Sequence, residues 1–223
     1  MSITIRRFAV PRFVVALLML VALPAAASRL QVTATGTLSL LDDPGQLLFA
    51  GPVPTPGTPF VLTFSYDREA PDFLLVPDPA MAFYRGVEDL QLVIGDLPPV
   101  TAFADNFIAV EDQAFGILDF WQATSYRDDG VRSESFGMYL SAFCGCAVDS
   151  TALIPPIWPG DWESGRIYRD VIDLGTGDTL ARVQADIDGI TVVPAPAVGW
   201  LLAVALAGVA GRRSRRRRAG PHQ

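Results

Sequence analysis

The sequence predicts an all-β protein whose central region forms an antiparallel domain of the β-sandwich or jelly-roll-like type. Two observations carry this prediction. Apolar and polar residues alternate with period two in many short segments, and turns rich in proline and glycine separate those segments. Successive side chains of a strand point to opposite faces, so such alternation is typical of strands with one buried face. The central region shows no convincing helical periodicity, which favours an all-β class.

The clearest predicted strand is residues 60–66, where Phe60, Leu62, Phe64 and Tyr66 share one face. The same pattern predicts seven strands in all: 30–41, 60–66, 90–94, 102–110, 116–126, 135–143 and 179–193. Proline fixes φ and glycine accepts positive φ, so both residues end strands and favour turns. Three turns are predicted on this basis: Asp43-Pro44-Gly45, Pro54-Thr55-Pro56-Gly57 and Asp128-Asp129-Gly130.

The charged residues are sorted by region. The 223-residue chain has a formal net charge of −7 and contains no lysine. Residues 28–193 hold eight arginines against all 24 acids, a formal charge of −16, and the other arginines lie near the two ends. A domain this acidic repels nucleic acid and anionic membrane surfaces, and it can attract cations. We therefore expect no nucleic-acid partner.

Residues 1–27 have the three-part layout of a secretory signal peptide. The basic start contains three arginines: Arg6, Arg7 and Arg12. Residues 13–23 form an apolar run that is short for a membrane span. Ala25 and Ala27 supply the small side chains that signal peptidase requires, so we expect cleavage before Ser28. A retained N-terminal membrane anchor is the alternative.

The C-terminal region has three parts in a fixed order. Val193-Pro194-Ala195-Pro196 is expected to stop the preceding strand, since a proline cannot donate to a strand ladder. Residues 197–211 are uncharged, and as a helix they would span about 22 Å, so a spanning length needs a start near Ile190. A cluster of six arginines follows: Arg212, Arg213, Arg215, Arg216, Arg217 and Arg218. Positive residues stay cytoplasmic, which places the acidic region outside.

This order of proline motif, apolar helix and arginine cluster resembles the PEP-CTERM sorting signal of exported Gram-negative proteins. The resemblance implies processing near the motif by an exosortase-like transpeptidase in the inner membrane. Ala195 stands where the family usually has glutamate, which implies a variant processing enzyme. A plain C-terminal membrane anchor and a basic nucleic-acid-binding tail are the alternatives, and the adjoining apolar segment argues against the second.

These features divide the chain into four parts: a signal peptide (1–27), an acidic β-rich ectodomain (28–192), a sorting signal (193–218) and a tail (219–223). The stretch TGTLSLLDDPG…PFVLTFSYDREAPD also resembles the opening of many exported PEP-CTERM ectodomains. That second resemblance implies export and the fold class, and it implies no activity.

Most hydrolase chemistries lack their residues here. The only histidine, His222, follows the arginine cluster, so the domain has no imidazole for a Ser-His or Cys-His pair. The absence of lysine removes Ser-Lys dyads and Schiff bases. A glycosidase needs only two carboxylates and remains open, although 24 acids will supply a suitable pair by chance. We predict a non-enzymatic protein with no catalytic residues.

Cys144 and Cys146 form a C-x-C pair whose state the sequence leaves open. A disulfide, either within the strained short ring or between chains, suits an exported protein. Two free thiols and metal binding are the alternatives.

We predict no metal site and no cofactor, with calcium as the cation that the loop acids would suit best. The acids considered were Asp42-Asp43, Glu111-Asp112, Asp128-Asp129 and Asp186 with Asp188. None of them forms an EF-hand loop, and solvated turn carboxylates are the ordinary interpretation.

Three tryptophans suggest core packing or ligand contact. Trp121 lies in an apolar strand and is expected in the core. Trp158 and Trp162 lie in an apolar loop that either packs on the domain or stacks on a sugar.

The sequence therefore predicts an exported protein, anchored in the inner membrane as a precursor and then located at the cell surface or in the extracellular matrix. Its expected partners are signal peptidase, an exosortase-like enzyme and, transiently, the inner membrane. A polysaccharide-binding module is the main alternative function, and a carboxylate-based glycan hydrolase is a weaker one.

Overall fold

The computed structural model of this protein describes residues 29–49, 51–114, 118–143, 145 and 147–195. Contacts within the chain define one compact unit from Arg29 to Val193, which differs by one residue at each end from the predicted ectodomain 28–192. Regular structure in the described residues is entirely β, and none of these residues belongs to a helix able to cross a membrane. The predicted signal peptide (1–27) and the apolar segment 197–211 lie outside the described residues.

The described residues form ten strands. They are β1 (Arg29–Asp42), β2 (Pro59–Asp67), β3 (Met81–Arg85), β4 (Glu88–Ile94), β5 (Val100–Thr101), β6 (Asp105–Ala114), β7 (Leu118–Asp128), β8 (Arg132–Ala142), β9 (Ser164–Asp173) and β10 (Thr179–Pro194). They make a single sheet in the order β3-β6-β7-β8-β9-β10-β1-β2-β4-β5, and neighbouring strands run antiparallel. Strands that are consecutive along the chain pair directly from β6 to β10.

The pairing of β1 with β10 joins the first and last strands of the chain. The Thr35 hydroxyl donates to the Gly189 carbonyl oxygen at 3.4 Å, and the Ser39 hydroxyl donates to the Gln184 carbonyl oxygen at 3.4 Å. Partner numbers fall along β10 as they rise along β1, which is the antiparallel arrangement. At Gly36 the two backbones approach so closely that an added Cβ would lie 2.1 Å from the Asp186 carbonyl oxygen. We call this pairing the β1–β10 seam.

The sheet curls until its inner faces meet around an aromatic cluster. Trp121 of β7 lies with its ring centroid 6.2 Å from that of Phe64 and 6.5 Å from that of Tyr66, both on β2. Four strands separate β7 from β2 in the sheet, so this contact requires strong curvature. All three side chains are buried, and truncating a buried ring of this size costs roughly 3–5 kcal/mol. The predicted core position of Trp121 is confirmed.

The structure confirms the predicted all-β antiparallel class and shows one continuous curled sheet. Seven predicted strands correspond to β1, β2, β4, β6, β7, β8 and β10. The sequence analysis missed β3 and β5, which are short, and β9, in which Arg169 and Asp170 interrupt the apolar pattern. Predicted strand 102–110 began too early, because β6 starts at Asp105. As predicted, the last strand ends within the proline motif, at Pro194.

The β1–β10 seam is testable through its glycine. Gly36→Ala should lower the free energy of unfolding by about 1–3 kcal/mol, because the new methyl group must push two paired backbones apart. Gly51→Ala is the matched control, since an added Cβ there meets nothing within 4 Å. Urea denaturation measures both variants, and equal stability of the two would mean that β1 and β10 are not neighbours.

Candidate functional site

The loop from β1 to β2 is held at one end of the curled sheet by an aspartate. Oδ1 of Asp43 accepts a hydrogen bond from the backbone N–H of Leu47 at 2.7 Å. Its Oδ2 accepts from the N–H groups of Leu48 and Phe49 at 3.1 and 3.3 Å. One carboxylate thus satisfies three backbone donors that the loop would otherwise leave unpaired. The side chains of Leu48 and Phe49 are buried as a result.

An Arg–Glu–Arg group, in which Glu134 and Arg169 are largely buried and Arg127 is exposed, connects β7, β8 and β9 beneath this loop. Glu134 lies directly opposite Arg127 in the sheet and accepts from its Nη2 at 2.6 Å. The other oxygen of Glu134 accepts from Nη2 of Arg169 at 2.7 Å. Side chains of Glu134 and Arg169 are only 12% and 13% exposed, so each charge depends on its partner. Arg169 also donates from Nη1 to the carbonyl oxygen of Leu48, which ties the group to the loop.

Two cavities adjoin at the pair formed by Glu134 and Arg169. One has a volume of about 410 Å³ and is lined by Leu47, Arg127, Asp129, Arg132, Glu134 and Val171. The other, about 370 Å³, is mainly apolar and is lined by Leu48, Phe49, Gly51, Pro52, Ile94, Leu97, Pro98, Val100 and Arg169. An apolar space beside a few fixed polar groups is the usual form of a small-molecule site. We call this region the loop cleft.

The carboxylates of the loop cleft are not suited to acid catalysis. Hydrogen bonds from the backbone N–H groups of Arg132 and Val131 hold the pKa of Asp129 below its usual value. Both oxygens of Glu134 already accept hydrogen bonds from arginines. A glycosidase needs one carboxyl with a raised pKa to protonate the leaving oxygen. Neither residue is arranged for that role.

Carboxyl groups with a raised pKa lie elsewhere in the sheet. Burial raises the pKa of Glu111 on β6. Burial also raises the pKa of Asp170 on β9, against the opposing effect of the hydrogen bonds from Arg182 at 3.0 and 3.1 Å. Neither carboxyl lines the two cavities of the loop cleft. The loop cleft therefore does not combine a proton donor with a second free carboxylate.

The structure packs the two tryptophans of the apolar loop against the domain. Trp162 is buried with 8% exposure and belongs to the hydrophobic core, so its indole face is closed to a stacked sugar. Trp158 is half-buried and packs against the core. Gly165 makes room for it, since an added Cβ there would lie 2.8 Å from Cζ3 of Trp158. Packing, one of the two interpretations that the sequence left open, describes both residues.

The acidic residues considered for calcium have ordinary structural roles or lie apart. Asp43 and Asp129 accept backbone hydrogen bonds in their turns, and Asp186 forms an ion pair with Arg166 at 3.7 Å. Within the described ranges, no group of three or more metal-binding side chains comes together. A residue that the sequence analysis did not consider, Asp119, is fully buried and accepts from the backbone N–H groups of Gln113, Ala147 and Val148.

Several predicted residues lie outside the part of the chain that the structure describes. They are the cleavage-site residues Ala25, Ala27 and Ser28, both cysteines Cys144 and Cys146, Pro196 of the motif, and Arg212, Arg213, Arg215, Arg216, Arg217 and Arg218. Of the motif, Val193 is exposed at the end of β10, and Pro194 and Ala195 follow it.

The structure reveals a row of aromatic side chains that sequence reasoning missed. Phe73, Phe83, Phe107 and Tyr126 are partly exposed neighbours, and their successive ring centroids lie 5.9, 5.4 and 6.0 Å apart. We call them the aromatic row. Phe83 lies on β3, a strand that the sequence analysis did not recognise. The sequence Met-Ala-Phe-Tyr-Arg of β3 gives no alternation of apolar and polar residues, so the sequence carried no signal for this strand.

The fold, the loop cleft and the aromatic row are interpreted from their geometry, because comparison with known proteins gives no match. No protein-family model, no curated protein and no solved structure matches this chain.

The Arg–Glu–Arg group predicts a large effect of one conservative change. Glu134→Gln should lower the free energy of unfolding by roughly 3 kcal/mol, because Arg169 keeps a largely buried charge without its partner. Glu88→Gln is the matched control. Its ion pair with Arg29 is far more exposed, so the change should cost less than about 1 kcal/mol. Chemical denaturation measures the free energy of unfolding of both variants. An equal loss of stability in the two would contradict the buried ion pair of Glu134 with Arg169.

Two acids predict pH effects of opposite sign. Burial raises the pKa of Glu111, so its stabilising contribution is present below the unfolded pKa and is lost as pH rises through the folded pKa. Glu111→Gln should therefore raise the melting temperature at pH 7, with the gain vanishing near pH 3.

Asp129 serves as the matched comparison, because its pKa is lowered. Its contribution is present above the unfolded pKa and is lost as pH falls through the folded pKa. Asp129→Asn should lower the melting temperature at pH 7, and the difference should disappear at low pH. Calorimetry of the wild type and both variants across pH 3–7 checks the signs; the same sign for both would contradict these environments.

Proposed function

We propose that this chain is an exported, non-enzymatic surface or extracellular-matrix protein. In this proposal it has a sandwich-like ectodomain, an N-terminal signal peptide and a C-terminal membrane helix that an exosortase-like transpeptidase removes or replaces. The order of Val193-Pro194-Ala195-Pro196, an apolar segment and an arginine cluster supports processing.

The position of the two ends of the domain supports this proposal most directly. Antiparallel pairing at the β1–β10 seam puts the start of β1 and the end of β10 at the same end of the sheet. Arg29 follows the expected signal cleavage point, and Val193 begins the proline motif. Both targeting segments would thus leave the domain from one end. That arrangement suits a precursor whose two ends both lead to one membrane.

The loop cleft lies at the opposite end of the sheet. Asp42 at the end of β1 and Arg132 at the start of β8 belong to that distal end, together with the turn after β7. Neither targeting segment leaves the domain from the distal end. This favours a protein that presents its loops to extracellular partners.

A non-enzymatic role is supported by the way the cleft carboxylates are used. Asp43, Asp129 and Glu134 hold loops and strands in place through backbone or arginine hydrogen bonds. These side chains are committed to the fold. The glycan-hydrolase alternative gains no specific observation from the cleft.

Polysaccharide binding is the second candidate function, and one observation favours it. The aromatic row offers partly exposed rings beside polar side chains, although the tryptophan loop does not. A glycan-binding ectodomain is compatible with surface sorting, so the two proposals are independent of each other.

Mass spectrometry of the protein recovered from its native host tests the sorting proposal. We expect an N-terminus at Ser28 and a C-terminus near Pro194–Pro196, with any added mass identifying an acceptor. A double variant, Pro194→Ala with Pro196→Ala, should keep the C-terminal segment because the processing enzyme would lose its motif. Recovery of the wild-type chain intact through Gln223 would overturn the proposal and make the segment a permanent anchor.

A further inference from the structure

We propose that the aromatic row is a binding site for a neutral polysaccharide chain. This inference deepens the glycan-binding candidate above and rests on it, but it assigns the binding to a surface of β3, β6 and β7 instead of the tryptophan loop. It does not depend on how the C-terminus is processed.

The aromatic row lies on the outer side of the sheet and is not required by the core. Along β3, Ala82 and Tyr84 are the more deeply buried residues, whereas Phe83 between them is only half-buried. Phe107 is opposite Arg85 in the sheet, and Tyr126 is opposite Asp105. Aromatic side chains gathered on a solvent-facing side form an exposed apolar patch, and such patches mark contact surfaces.

The loop before β3 is fixed so that it extends the row. The backbone N–H of Phe73 donates to the carbonyl oxygen of Phe83 at 2.9 Å. Oδ1 of Asp72 accepts from the N–H groups of Leu74 and Phe83, both at 3.0 Å. The guanidinium of Arg85 covers the ring of Phe73 with its Cζ 4.7 Å from the centroid. The row is therefore held in place before any ligand arrives, which limits the entropy cost of binding.

Polar groups of the kind that bind sugar hydroxyls lie beside the rings. A cavity of about 290 Å³ is lined by Phe73, Leu74, Phe83, Arg85, Asp105, Asn106, Phe107 and Tyr126. Asp105 and Arg85 are on the same side of the sheet as Phe107, since Arg85 lies opposite Phe107 and Asp105 is two residues before it on β6. The partly exposed rings of Phe107 and Tyr126 for the apolar side of a pyranose, with carboxylate and guanidinium groups for its hydroxyls, fit a glycan.

Charge selects a neutral glycan over an anionic one. Residues 28–193 carry a formal charge of −16, which repels uronate-rich or sulfated chains and anionic lipid. Among the described residues, Arg85 is the only cation that lines this cavity, and Asp105 lines it as well. The row consequently lacks the arginine excess that an anionic polymer would require.

A protein or lipid partner is the competing occupant. Leu75 is fully exposed and Val76 is 78% exposed at the tip of the loop that carries Phe73. These aliphatic side chains do not line the cavity. Their contribution separates a general apolar contact from a stacked sugar, so Leu75 provides one control.

Native affinity electrophoresis tests the inference on protein purified from its host. The gels contain dextran, glucomannan, hydroxyethylcellulose or, for comparison, alginate. We expect retardation in at least one neutral polysaccharide, with an affinity loss of about tenfold or more in both Phe107→Ala and Tyr126→Ala. Phe143→Ala removes an exposed ring outside the row and should bind like the wild type, as should Leu75→Ser. Near-UV circular dichroism confirms folding, and Tyr126→Ala decides if Phe107→Ala does not fold.

Four results would overturn the inference. They are migration unaffected by every neutral polysaccharide, binding unchanged in the folded row variants, an equal loss in Phe143→Ala or Leu75→Ser, and stronger retardation by alginate than by any neutral chain. Co-sedimentation with phosphatidylcholine vesicles that Leu75→Ser abolishes would assign the surface to lipid instead. Terminal mapping by mass is unaffected by these variants, so failure here and failure of the sorting proposal are distinguishable.

Discussion

The β1–β10 seam is the contact on which the remaining structure depends. It joins strands β1, β2, β4 and β5 to strands β3 and β6 to β10, and without it the described sheet would separate into two smaller ones. The residues that pair across the seam are about 150 positions apart in the chain. Forming the seam therefore costs loop-closure entropy, which other contacts between distant parts of the chain must offset. Trp121 packs on Phe64 and Tyr66 across the curled interior, and this contact offsets part of the entropy cost. Gly36 allows the close backbone approach that the pairing requires.

The seam also determines at which end of the sheet the chain ends and the loop cleft lie. It brings both chain ends of the domain to one end of the sheet and leaves the loop cleft at the other. The Arg–Glu–Arg group fixes the β1–β2 loop over the distal end, since Arg169 bonds to both Glu134 and the Leu48 carbonyl. Strong electrostatic interactions are thus used to order loops in a fold without helices in its described part. The outer side of β3, β6 and β7 remains free to carry the aromatic row.

Local pattern predicted the parts of the fold in which one face is apolar and the other polar, as in β1 and β2. The local pattern failed to predict β9, because Arg169 is a charged residue with a largely buried side chain. That burial is favourable because Arg169 forms an ion pair with Glu134, which is far from it in the sequence. Trp162 was ambiguous for a related reason: an apolar loop residue packs or binds according to what lies beneath it. The aromatic row could not be predicted from the sequence. Its residues Phe83, Phe107 and Tyr126 become neighbours only because β3 pairs with β6 and β6 pairs with β7.

The measurement that tests this account most directly is a set of interstrand nuclear Overhauser effects for the isotope-labelled protein. The account predicts contacts between backbone protons of Gly36 and those of Asp186 and Ile187, with slow amide exchange along both strands. Contacts of β1 with β2 alone, together with fast exchange along β10, would contradict the seam. In that case the single curled sheet, and the shared exit of the two chain ends, would both have to be abandoned.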